Sequence, residues 1–85
     1  MKSFSVDWGL DDLEVLADIW LNSPDPNSVT RAQDRIDDRL ESNPLAVGEH
    51  VAEGLRKIHL SPLLVYYSID NANRKVEIEG VVHLT

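Results

Sequence analysis

The sequence has no cysteine. That excludes disulfides, cysteine-ligated zinc and thiol catalysis. No apolar run approaches the roughly 20 residues that span a bilayer. The opening residues, Met1-Lys2-Ser3-Phe4-Ser5-Val6-Asp7, lack the apolar core of a signal peptide, so the expectation is a soluble cytoplasmic protein with no membrane association. There are four glycines and no glycine-rich phosphate loop, no His-Glu-x-x-His and no nucleophile elbow. Internal repeats and low-complexity tracts are also lacking. Basic residues are scarce: 8 Lys and Arg stand against 15 Asp and Glu, a net charge of −7.

What is present suits a small globule. With 85 residues, 42% of them hydrophobic and 27% charged, the chain is expected to form a single domain, residues 1–85, with a thin core. The charge is uneven. Residues 1–50 hold 4 basic and 11 acidic side chains, whereas residues 51–85 hold 4 of each. Nucleic-acid binders usually neutralise phosphates with Lys and Arg, so only the neutral second half is expected to offer a basic patch.

Hydrophobic periodicity orders the elements. Phe4, Val6 and Trp8 alternate with polar residues, which predicts a half-buried strand. Leu10, Leu13, Leu16, Ala17, Trp20 and Leu21 then follow helical spacing, with acidic residues in the first turn, where the helix dipole favours them. Asn22-Ser23-Pro24 ends that helix. A second helix is expected from near Pro26 to Glu41, capped by Asp25, with Val29, Ala32, Ile36 and Leu40 as its apolar stripe. Its many charges read as a solvated face. Residues 44–53 read as a connector. Three strands follow, over residues 55–60, 63–69 and 74–84, separated by Pro62 and by the turn Asp70-Asn71-Ala72-Asn73. The expected fold is α+β in the order β-α-α-β-β-β. Four strands form a mainly antiparallel sheet, and two helices cover one face.

One constellation suggests chemistry. Lys57 and His59 share a strand face because side chains two apart point the same way. Strict alternation along the last strand puts Lys75, Glu77, Glu79, Val81 and His83 on one face. Lys57, His59 and His83 are therefore expected to meet on the sheet face away from the helices, with a bulge at Gly80 as the one feature able to turn His83 over. Imidazoles exchange protons near neutral pH and an ammonium stabilises developing negative charge. Such a set suits RNA cleavage by internal attack of a 2′-hydroxyl; an ordinary polar sheet face is the plainer reading. His50, His59 and His83 have no metal-ligand spacing, and no metal or other cofactor is expected.

The ordered pieces resemble the RelE/ParE superfamily of small toxins from bacterial type II toxin–antitoxin modules. Val6-Asp7-Trp8 and Leu13-x-x-Leu16-Ala17-Asp18-Ile19-Trp20 are similar to that family's first strand and helix. Leu40-x-x-Asn43-Pro44 with Gly48-Glu49 is similar to its second helix and connector. Gly54-Leu55-Arg56-Lys57-Ile58 and Pro62-Leu63-Leu64-Val65-Tyr66-Tyr67-Ser68-Ile69-Asp70 resemble its hairpin, and Val76-Glu77-Ile78-x-x-Val81-Val82-His83 its last strand. The resemblance covers nearly the whole chain and implies a sheet with two helices on one face.

It also implies a toxin with a cognate antitoxin as partner. In ribosome-dependent members, basic residues and a tyrosine cleave mRNA. By position, two lysines fall at Lys57 and His59, one arginine at Leu63 and another at His83, while the tyrosine falls beyond Thr85 and has no counterpart. The implied catalytic residues are thus Lys57, His59 and His83. Three readings stay open: a ribosome-dependent mRNA endoribonuclease with weakened activity, a toxin directed at DNA gyrase, and a catalytically inert relative that binds other proteins. The charge of −7 favours the last two. An antitoxin segment is expected to cover hydrophobic surface, with Leu63, Leu64 and Tyr66 as candidates for that surface or for the core.

Overall fold

A computed structural model describes residues 3–84. Its elements are β1 (Ser5–Asp7), α1 (Leu10–Asn22), α2 (Pro26–Ser42), α3 (Pro44–Val47), β2 (Glu49–Ala52), β3 (Leu55–Leu60), β4 (Leu63–Asp70) and β5 (Lys75–His83). The strands form one five-stranded mixed sheet in the order β1-β5-β4-β3-β2. β1 runs parallel to β5, and the other pairs are antiparallel. The sheet therefore has one strand more than the four expected. The extra one, β2, is an edge strand whose four residues are all exposed, so it carries no apolar alternation to announce it.

Alternation fixes the two faces of the sheet. Ile58 on β3, Leu63, Val65 and Tyr67 on β4, and Val76, Ile78 and Val81 on β5 are buried. They meet Val29, Ala32, Ile36 and Leu40, the apolar stripe of α2, in one core cluster. α2 thus buries the stripe that its 3.6-residue period predicts. Asp25 occupies the N-cap position but makes no side-chain cap bond. Its carbonyl oxygen accepts from the Ser28 amide (3.1 Å) and the Ser28 hydroxyl (2.8 Å) instead.

α1 departs from expectation. Of its apolar stripe only Leu16 is buried, while Leu10 and Leu21 are 73% and 70% exposed and Trp20 is 44% exposed. The helix rests on α2 and β5 by one narrow edge and leaves the rest of its apolar surface open. Leu63, considered above as partner surface, is wholly buried.

The connector between α2 and β3 is held against the sheet by a polar latch. The buried Tyr67 hydroxyl donates to the Pro44 carbonyl at 2.8 Å. Arg56 donates from Nη2 to the carbonyls of Leu45 (3.0 Å) and Gly48 (2.7 Å), and from Nε to the Tyr67 hydroxyl at 3.4 Å. Arg56 and Tyr67 are direct cross-strand partners, so the two groups leave the sheet side by side. At the other edge, the Trp8 indole donates to Asp37 at 2.6 Å, tying the residue after β1 to α2.

The β4–β5 turn carries a pH-dependent contact. Asp70 accepts from the Asn73 side-chain amide at 2.8 Å and from the Asn73 backbone amide at 3.2 Å. These bonds, with help from Lys75, hold its carboxyl below the ordinary 3.8. A lowered folded-state pKa adds stability above the unfolded value, and that stability is lost as pH falls through the folded one. Replacing Asp70 with Ala is therefore expected to lower the urea midpoint at neutral pH. The gap to the parent protein should close as pH drops below about 3.8. An undiminished gap in acid would show that the turn does not depend on the carboxylate.

Candidate functional site

β2 pairs with β3 only as far as Glu49 opposite Lys57. Past that point the edge of β3 has no strand partner among the described residues. There a cleft of about 470 Å³ opens, lined by Arg39 of α2, Val47 of α3, Glu49 of β2, Lys57, Ile58 and His59 of β3, Leu64 of β4, and Leu84. Lys57 and His59 both reach it, as their two-residue spacing requires. Lys57 lies opposite Tyr66, and His59 opposite Leu64. Both belong to the sheet face away from the helices, because Ile58 between them is 3% exposed and in the core.

His83 does not join them. The β4–β5 register slips between Tyr66, opposite Gly80, and Tyr67, opposite Ile78, leaving Glu79 as an extra residue. This bulge reverses the alternation beyond Gly80. Val81 becomes buried, Val82 becomes 41% exposed, and His83 is brought opposite Leu63. His83 therefore shares the helix-covered side with Leu63 and Val81. The expected convergence of Lys57, His59 and His83 on one face is corrected to Lys57 and His59 alone. Leu63, the position at which the resemblance places an arginine, likewise faces the core.

Sequence reasoning missed Arg39 and Glu49 in this cleft. Arg39 was one charge in a run assigned to solvent. Glu49 stood in what read as a structureless connector. The signal for Arg39 was its place one turn beyond Arg31 and Arg35 on the same flank of α2. Glu49 lies 4.0 Å from Lys57 Nζ, with the Glu49 side chain 80% exposed. At that distance and exposure the pair contributes little and leaves the ammonium free to meet another anion. Among the described residues no three His or carboxylate side chains come together as metal ligands. No helix of the structure is long and apolar enough to cross a membrane.

The arrangement offers an imidazole, an ammonium and a guanidinium around an open polar cleft. That is a proton acceptor or donor beside two cations, which suits a substrate whose charge grows on phosphate oxygens.

No protein-family model matches the sequence, and no curated protein matches it. Solved structures share the fold, three of them as follows. The toxin–antitoxin complex RelBE2 from Mycobacterium tuberculosis contains a chain with a TM-score of 0.79 and 20% identity, covering 98% of this chain and 93% of that one. The isolated E. coli RelE toxin gives 0.68 and 15% identity over 96% of this chain and 85% of its own. The chromosomal ParDE toxin–antitoxin system from P. aeruginosa gives 0.64 and 17% over 98% of both chains. The chain has the RelE/ParE toxin fold, with helices packed on a five-stranded mixed sheet.

Proposed function

We propose that the chain is the toxin of a two-protein toxin–antitoxin module and that its cleft cleaves RNA with low efficiency. The observation that supports this most directly is the meeting of Lys57, His59 and Arg39 at one cleft beside the open edge of β3. In this reading His59 takes the proton from a ribose 2′-hydroxyl. The alkoxide oxygen attacks the adjacent phosphorus, the bond to the 5′-oxygen breaks, and the departing 5′-oxygen takes a proton from water, leaving a 2′,3′-cyclic phosphate and a 5′-hydroxyl end. Lys57 and Arg39 stabilise the charge on the phosphate oxygens. Efficiency is low because the chain carries a net −7, and because Leu63 is wholly buried and supplies no arginine.

The cognate antitoxin is the natural cover for α1. A groove of about 410 Å³ between α1 and α2 is lined by Leu13, Leu16, Ala17, Trp20, Leu21, Val29 and Gln33. Exposed contiguous apolar surface of this kind marks an interaction site. The same groove favours a second reading, in which the chain is an inert protein-binding relative. Induced expression in a bacterial host separates the two. The toxin reading expects slowed growth with falling translation, unaltered DNA synthesis, and recovery on co-expression of an antitoxin frame found beside the gene. Normal growth and translation would leave the protein-binding reading, and a primary arrest of DNA synthesis would point to gyrase.

A further inference from the structure

The basic residues of this acidic chain are not scattered. Arg31, Arg35 and Arg39 stand four apart on α2. Successive members are about 6 Å apart along the axis and rotated by about 40°, so the three occupy one narrow flank of the helix. Asp34, Asp37, Asp38 and Glu41 fall on the outer and opposite flanks. Arg39 opens on the cleft with Lys57 and His59. One turn back, Arg35 and Arg31 line a second cleft of about 230 Å³ with Ser28 of α2 and with Leu60 and Ser61, which follow His59 directly. The two clefts thus lie end to end between α2 and the free edge of β3. Four of the chain's eight Lys and Arg residues border them.

Counter-charges along this line are weakly placed. Asp25 is 3.8 Å from Arg31, with both side chains at least 60% exposed, and Glu49 is 4.0 Å from Lys57. Exposed pairs at such distances hold their partners loosely. Among the described residues Arg35 and Arg39 show no ion pair. The row is polar along most of its length, while the chain's large exposed apolar surface sits on α1, so the row is built for charge rather than for a hydrophobic peptide.

We propose that this row is a track for the phosphodiester backbone of a single RNA strand, leading it across Arg31 and Arg35 to the Arg39–Lys57–His59 cleft. The step of one helical turn between guanidiniums is comparable to the step between successive phosphates of an extended strand. Ser61, on the same cleft, supplies a hydroxyl donor. The proposal rests on the reading of the cleft as an RNA-cleaving site, and binding tests it separately from cleavage.

The probe is a fluorescent 2′-O-methyl oligouridylate, which has no nucleophilic hydroxyl and cannot be cut. Its affinity, followed by anisotropy against salt, is expected to fall with a log–log slope of about −3, since each neutralised single-strand phosphate contributes about −0.7. The exposed triple substitution Arg31→Gln/Arg35→Gln/Arg39→Gln should bring the slope to about −1 and weaken low-salt binding by at least about tenfold. Lys57→Ala/His59→Ala should remove cleavage of an unmodified strand while retaining most of the slope. An unchanged slope in the triple variant, or no binding by the parent protein at low salt, overturns the track. Equal competition by poly-glutamate at matched charge also overturns it and assigns the row to an acidic protein partner. Normal track binding without any cleavage by the parent protein would overturn the enzymatic reading alone.

Discussion

Replacing Gly48 with Ala should destabilise the protein by about 3–5 kcal/mol, the combined scale of an overpacked core and a broken buried hydrogen bond. Gly48 has extended backbone angles, φ −108° and ψ 179°, so any residue could adopt its conformation. The obstacle is space. A Cβ there would clash severely with the Tyr67 hydroxyl and lie 2.8 Å from the Lys57 carbonyl oxygen and 2.9 Å from Tyr67 Cζ. Tyr67 is wholly buried and cannot swing away. The carbonyl belongs to the β3 backbone and cannot move without breaking the sheet. A loss of this size takes up a large share of the roughly 4–13 kcal/mol expected for a domain of this length. It should lower the melting temperature by roughly 12–40 °C.

A double-mutant cycle checks the cause. Tyr67→Phe alone removes the donor to Pro44 and the acceptor for Arg56, and should cost about 1–3 kcal/mol. It also removes the atom that a Cβ at position 48 would strike first. Gly48→Ala in the Tyr67→Phe background should therefore cost less than in the parent protein, with a coupling of about 1 kcal/mol or more. Strict additivity would mean that the two positions do not contend for the same space. The result bears on the site as well, because the latch sets where Glu49 begins to pair along Lys57.

Much of this architecture was legible in the sequence, and the exceptions share a physical cause. α2 and strands β3, β4 and β5 lay close to their expected positions because each buries one face continuously, and burial writes a period into the sequence. β2 has no buried residue and so leaves no period. α1 shows the converse. Its spacing is helical, but Leu10, Leu13, Trp20 and Leu21 are exposed. A stripe left open and one that enters the core look alike in sequence. Lys57 and His59 were readable as a pair because alternation holds within an unbroken strand. His83 was not, because one extra residue at Glu79 inverts every side chain after it. Gly80 was the available hint. Arg39 was hidden by its company: in a run of alternating charge, only the four-residue spacing to Arg35 and Arg31 marks the flank that borders the cleft.

If the cleft cleaves RNA, His59→Ala should reduce the cut fraction by about 10²–10⁴, the usual worth of a positioned acid–base group. Lys57→Ala should cost about 10²–10³, the scale of losing one electrostatic donor to a transition state. His83→Ala should leave cutting unchanged. The contrast between the two histidines is the sharper test, because strict alternation would have made them equivalent and only the bulge separates them. Primer extension on message from induced cells measures all three variants against the parent protein at matched protein levels. The catalytic loss at His59 should appear without a change in melting temperature, since the side chain is exposed. His83 is half-buried opposite Leu63, so its substitution should act on stability instead. Loss of cutting at His83 equal to that at His59, with stability intact, would mean that the last strand presents the opposite face to substrate and that the site has been assembled from the wrong pair.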